Sequence, residues 1–105
     1  MKRGLTETCC GFFSTLANPT RLAILERLNE SDMNVTQLTA ALGQEQSMIS
    51  HNLKTLLQCR LVYSKRVGKS RIYSLNRNTV GKLFEIVKYH AQNHCQYNGK
   101  CDKSH

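Results

Sequence analysis

The chain has no tryptophan, a single proline (Pro19) and only seven acidic residues among 105. Each shortage narrows the function. Carboxylates are scarce, and there is no glycine-rich phosphate loop, nucleophile motif or close histidine–carboxylate set, so an enzyme is the least favoured class. No apolar run approaches the roughly 20 residues of a membrane-spanning helix. The opening Met1-Lys2-Arg3-Gly4-Leu5-Thr6 lacks the apolar stretch of a secretion signal. These absences predict a cytoplasmic protein with no membrane partner and no organic cofactor. Without repeats, low-complexity tracts or Gly/Ser linkers, one continuous domain is expected over residues 1–97, with a polar tail over 98–105.

What the chain has in excess is positive charge. Fifteen Lys and Arg give a formal net charge of +8, a field that attracts polyanions. Five of those eight net charges fall between residues 44 and 75, where Lys54, Arg60, Lys65, Arg66, Lys69 and Arg71 stand against Glu45 alone.

The periodicity over that region has a definite order. Leu5, Cys9, Phe12, Phe13 and Leu16 lie at helical spacing and predict a first helix over residues 5–16. Asn18 then serves as N-cap, with Pro19 at the first position of a second helix whose inward stripe is Leu22, Leu25 and Leu28. A short helix from Thr36 carries Leu38, Ala41 and Leu42 and breaks at Gly43. A further helix runs from Gln46 to Gln58, with Ile49, Leu53, Leu56 and Leu57 inward and Ser47, Ser50, His51 and Lys54 outward. Two short helices around a glycine turn form a helix-turn-helix, whose second helix can enter a DNA major groove.

Beyond Arg60 the pattern changes to β-rich stretches over 61–66 and 70–75, joined by Val67-Gly68-Lys69, which predict a hairpin. Val80, Leu83, Phe84, Val87 and Ala91 then follow amphipathic helical spacing in a last helix reaching about Tyr97. The expected fold is mostly α with a small β-hairpin: a winged helix-turn-helix of about five helices plus wing. Exposed hairpins are often charged merely for solubility. Concentrating the charge on both reading helix and hairpin instead favours phosphate contact, because each neutralised phosphate releases counterions. The expected DNA-binding residues are Gln46, Ser47, Ser50, His51, Lys54, Lys65, Arg66, Lys69 and Arg71.

Residues 17–25 (Ala-Asn-Pro-Thr-Arg-Leu-Ala-Ile-Leu), 46–56 (Gln-Ser-Met-Ile-Ser-His-Asn-Leu-Lys-Thr-Leu), Arg60-Leu61-Val62, and Gly68-Lys69 through Tyr73-Ser74-Leu75 closely resemble the ArsR/SmtB family of metal-responsive repressors. The resemblance spans residues 12 to 95, in order and spacing. It implies a homodimer built from the first and last helices, bound to an imperfect palindromic operator in double-stranded DNA and released by an inducer. The apolar faces agree, since a two-fold related copy would cover an interface of Leu5, Phe12, Val80, Leu83, Phe84, Val87 and Ala91.

The five cysteines bear on the inducer. With no secretion signal they suit thiols, metal ligands or redox sensors better than a disulfide framework. Compared with the family's sensing sites, this sequence departs at several positions. Asn34-Val35-Thr36 stands where some members carry a Cys-x-Cys arsenic site. Arg77 and Thr79 replace the Asp and His that open a zinc site on the last helix, and Asn93 replaces the partner of His90. Cys59 lies where some cadmium sensors carry a thiol, but Thr55 replaces the second one.

Another set remains. His90, His94 and Cys95 share an arc of roughly 140° with the apolar stripe of the last helix. Cys9 and Cys10 lie on the first helix, which the resemblance packs against the last. Cys9, Cys10, Cys95 and Cys101 with His90 and His94 are therefore the expected metal ligands, similar to the paired-cysteine arsenite sites of some members. Such soft donors suit arsenite, cadmium, zinc or copper(I) alike, and the resemblance to paired-cysteine members puts arsenite first, then cadmium or zinc. A redox- or persulfide-sensing repressor using the same cysteines is one alternative. A constitutive DNA-binding protein without an inducer is another, and Cys9, His90 and His94 would then be ordinary packing residues.

Overall fold

A computed structural model describes residues 11–95 of the chain. Within that span five α-helices and one hairpin follow in the order α1 (Phe12–Leu16), α2 (Pro19–Glu30), α3 (Val35–Leu42), α4 (Gln46–Gln58), β1 (Val62–Val67), β2 (Ser70–Leu75) and α5 (Lys82–Asn93). A π-helical turn, Arg77–Gly81, leads into α5.

Local chemistry sets the boundaries. The Asn18 side chain accepts the Arg21 N–H at 3.1 Å, with Pro19 at the first helical position, where a missing N–H costs nothing. Asn34 and Gln37 form a reciprocal capping box at the start of α3: the Gln37 N–H donates to Asn34 Oδ1 at 2.8 Å, and the Asn34 N–H donates to Gln37 Oε1 at 2.9 Å. Gly43 ends α3 at φ 64°, a left-handed conformation that a Cβ would strain. A short connection to α4 follows directly.

The core lies where α2, α3, α4 and the base of the hairpin meet. Ile24, Leu25, Leu28, Leu38, Ile49, Leu53, Leu56, Leu61, Val62 and Val80 are buried almost completely. The hairpin is antiparallel, with Val62 opposite Leu75, Ser64 opposite Tyr73 and Arg66 opposite Arg71. Its base is anchored by Tyr73, which exchanges backbone hydrogen bonds with Met33 at 2.8 and 3.1 Å. The chain leaves α4 through Arg60, at φ 56° the one non-glycine left-handed residue among those described. Asn76 secures that bend by donating its amide to the Arg60 carbonyl at 2.8 Å.

Several expectations change in detail. The inward face of α2 is centred on Ile24, Leu25 and Leu28, and Leu22 is only half-buried. Leu57 is likewise half-buried, while Asn52 takes a buried place on α4. Val80, expected at the interface, lies in the π-turn and is 0% exposed inside the protomer, so it is unavailable to a second chain. The described part of the last helix ends at Asn93, before Tyr97, where His94 and Cys95 both donate backbone N–H groups to the His90 carbonyl. Of the first helix, Phe12–Leu16 is described, and Leu5, Cys9 and Cys10 lie outside the described residues. No described helix is long and apolar enough to cross a membrane.

Candidate nucleic-acid interface

Helix α4 separates its two faces sharply. Ile49, Leu53 and Leu56 pin it to the core. Gln46, Ser47, Ser50, His51 and Lys54 are all exposed on the opposite side. Hydroxyl, imidazole, amide and ammonium groups at successive turns can meet base edges or phosphates without distorting the helix.

The hairpin adds exposed cations. Lys65, Arg66, Lys69 and Arg71 are exposed, and the two-residue loop Gly68-Lys69 opens with glycine at φ 62°. Arg66 and Arg71 face each other across the strands. Like charges opposed in this way destabilise an isolated hairpin, and a polyanion beside them would offset the repulsion. Arg71 also donates to the Ser64 hydroxyl at 3.1 Å, which holds its guanidinium along the hairpin. An open groove of about 200 Å³ between the start of α3 and the hairpin is lined by Asn34, Val35, Thr36, Lys69, Ser70 and Arg71. Contributions of Asn34 and Thr36 to this surface were not expected from sequence, because the link is tertiary. The only hint was the polar Asn-x-Thr start of a short helix.

The expected thiol site is described only in part. His90, in the last turn of α5, and His94, its C-cap, are both exposed, their rings 5.8 Å between centroids and tilted by 35°. Tyr89 packs edge-on against His94 at 5.8 Å. Cys95 is half-buried beside them. Cys9, Cys10 and Cys101 lie outside the described residues. Among those described, no group of three or more His, Cys, Asp or Glu is arranged to hold a metal ion. Two imidazoles and one thiol at the end of α5 are chemically suited to a soft ion but need donors from elsewhere to complete its coordination.

No residue of α5 is buried in the protomer. Leu83 and Phe84 pack partly against the core, whereas Ile86, Val87 and Tyr89 are 64%, 55% and 60% exposed. An open groove of about 470 Å³ runs between α2 and α5, floored by Leu22, Phe84, Val87 and Ala91.

A two-helix reader in the α3–α4 arrangement, a basic hairpin after it and a helix flanking the body define the winged helix-turn-helix class. The match to known proteins is more specific. A model described as "Bacterial regulatory protein, arsR family" matches residues 18–64. NmtR, an HTH-type transcriptional regulator of Mycobacterium tuberculosis, is 42% identical over 77 residues, 73% of this chain and 64% of its own. A transcriptional repressor SmtB homolog of Synechocystis is 41% identical over 81 residues, 77% of this chain and 61% of its own. A probable mercury resistance operon repressor of Streptomyces lividans is 29% identical over 82 residues, 78% of this chain and 66% of its own. In three dimensions, the homodimeric winged helix-turn-helix DNA-binding domain Mb0332 of Mycobacterium bovis superposes with a TM-score of 0.71 at 32% identity, covering 78% of this chain and 76% of that one. The chain belongs to the ArsR family of bacterial regulatory proteins. It spans somewhat under two thirds of the length of NmtR and the SmtB homolog.

Proposed function

We propose that this chain is a homodimeric transcriptional repressor that reads an imperfect palindromic operator and leaves it when a thiophilic metal or metalloid binds. The observation that carries the reading is the exposed polar face of α4 together with the exposed cations of the hairpin that follows it. Gln46, Ser47, Ser50, His51 and Lys54 face bases and nearby phosphates, and Lys65, Arg66, Lys69 and Arg71 hold the backbone. Family membership supports this assignment. The unpartnered face of α5, Leu83, Phe84, Val87 and Ala91, with Leu5 and Phe12 from the first helix, meets its two-fold copy, as the homodimeric Mb0332 domain supports.

The inducer site is formed by Cys9, Cys10, Cys95 and Cys101 with His90 and His94, where the first and last helices meet across the dimer. Soft thiolates among these donors suit arsenite, cadmium or zinc, and the likeness of the Cys9-Cys10 pair to the paired-cysteine arsenite sites of some family members puts arsenite first. A relative named for mercury resistance supports a soft ion. An ion that binds the free dimer more tightly than the DNA-bound one lowers operator affinity by the same factor, typically 1–3 kcal/mol, about 5- to 150-fold.

The test is release of a fluorescent operator duplex, selected from random sequence, during titration with arsenite, cadmium or zinc under reducing conditions. Wild type is expected to release it at stoichiometric ion. Cys10→Ser and Cys95→Ser should each abolish release while retaining metal-free binding, and Cys59→Ser should behave as wild type. Normal release by the Cys10 and Cys95 variants would overturn the site. Release triggered only by an oxidant, with no ion bound, would favour a redox sensor instead.

A further inference from the structure

The reading helix has a polar side chain on its buried face that the DNA-facing set does not use. Asn52 sits among Ile49, Leu53 and Leu56, only 7% exposed. Its amide donates to the Met48 carbonyl one turn back at 2.9 Å. Its Oδ1 accepts from Arg21 Nε on α2 at 3.0 Å. The same guanidinium donates from Nη1 to the Thr15 carbonyl, in the last turn of α1, at 3.5 Å. One side chain thus joins α1, α2 and α4.

Both acceptors are neutral, so this contact selects geometry rather than charge compensation. Apolar packing alone would leave α4 free to roll about Ile49, Leu53 and Leu56, whereas a planar fork with two acceptors in different directions fixes both angle and distance. Removing either partner leaves a buried polar group unsatisfied, and that penalty favours one arrangement over its neighbours.

We propose that Arg21 is a positioning residue for sequence reading: through Asn52 it locks the roll of α4 to the end of α1, and so determines which of Ser47, Ser50 and His51 can meet base edges. This inference rests on the DNA-reading assignment above. Hydrogen bonds to bases tolerate only a few tenths of an ångström, while the long wing cations can follow a phosphate through a larger shift. Loss of the link should therefore lower discrimination and leave general DNA affinity intact.

Three variants separate positioning from structural support. Arg21→Lys keeps the charge but loses the fork, and Asn52→Ala removes the acceptor. Arg77→Lys is the control, since Arg77 also joins two parts of the fold, donating to the Asn29 and Leu28 carbonyls at 3.3 and 3.4 Å without touching α4. The ratio of dissociation constants for random and operator duplexes should fall by about tenfold in Arg21→Lys and Asn52→Ala. Random-duplex affinity and salt slope should stay at wild-type values, and Arg77→Lys should keep the full ratio. In the DNA-free protein, amide hydrogen exchange over residues 48–52 should quicken in the first two variants only. An unchanged ratio, or an equal loss in Arg77→Lys, overturns the proposal.

If wild type itself fails to discriminate, the DNA-reading assignment falls, and hydrogen exchange alone decides whether Arg21 restrains α4. Should neither Arg21→Lys nor Asn52→Ala fold, the Arg21 Nε–H resonance of wild type decides: slow exchange supports the lock, and exchange at the free-arginine rate refutes it.

Discussion

At the residue scale, the two kinds of contact proposed for DNA differ in what a substitution does. Lys69 and Arg71 are exposed cations on the hairpin, and each is assigned to a phosphate. Replacing either with alanine should weaken operator and random duplexes alike and reduce the slope of log affinity against log salt by about one unit. Equilibrium titration at four or five salt concentrations checks this, and a loss confined to the operator would contradict it. Ser50→Ala and His51→Ala should do the opposite, because a base contact is worth about 1–3 kcal/mol of discrimination and carries little of the salt dependence.

The exposure of these residues was legible in the sequence, because one-sided polarity on a helix and charge clustered on a hairpin are local signals. The Arg21–Asn52 contact was not legible, since it joins positions 31 apart. A lone asparagine on an apolar stripe does not reveal which distant donor it will meet.

At the scale of elements, periodicity located α4 accurately at Gln46–Gln58, between a glycine break and the turn at Arg60. It was less informative for α2, where Leu22, Leu25 and Leu28 satisfy helical spacing as well as Ile24 does, and only packing against α3 and α4 identifies the buried side. Val80 was misplaced for a related reason. The π-turn Arg77–Gly81 changes the angular phase ahead of α5, so an apolar residue three positions before Leu83 turns inward instead of continuing the helix stripe.

Helix α3 offers a direct test of an element's own contribution. Asn34→Ala removes the reciprocal cap with Gln37, and should cost about 1 kcal/mol, read as a lower midpoint in urea denaturation at unchanged slope. An unaltered midpoint would mean that packing of Leu38 alone holds α3 in place. For α5, Val87 stands 55% exposed in the middle of the unpartnered face. Val87→Lys should shift sedimentation from dimer to monomer and weaken operator binding, because two half-sites are then no longer held together. A Val87→Lys protein that sediments as a dimer would place the interface elsewhere.

At the scale of the whole molecule, charge and architecture reinforce one another. A net charge of +8 favours contact with any polyanion, and on a duplex that attraction would be insensitive to sequence. On the proposed reading, sequence preference would come from α4, a single helix meeting a few base pairs, so one protomer alone would bind specific sites weakly. A two-fold dimer would multiply that preference by presenting two reading helices to two half-sites about one helical turn apart. Anything that alters their separation, whether an ion at the proposed cysteine site or a shift of α1, would then change affinity without touching a DNA contact.

The most direct measurement is therefore the affinity and stoichiometry of metal-free, reduced protein on a selected inverted-repeat duplex, compared with a scrambled duplex of equal length. The account predicts two protomers bound per inverted repeat, an affinity about a thousandfold or more above that for the scrambled duplex, and a steep fall with salt on both. Equal affinity for the two duplexes, or full affinity with a single protomer bound, would contradict it.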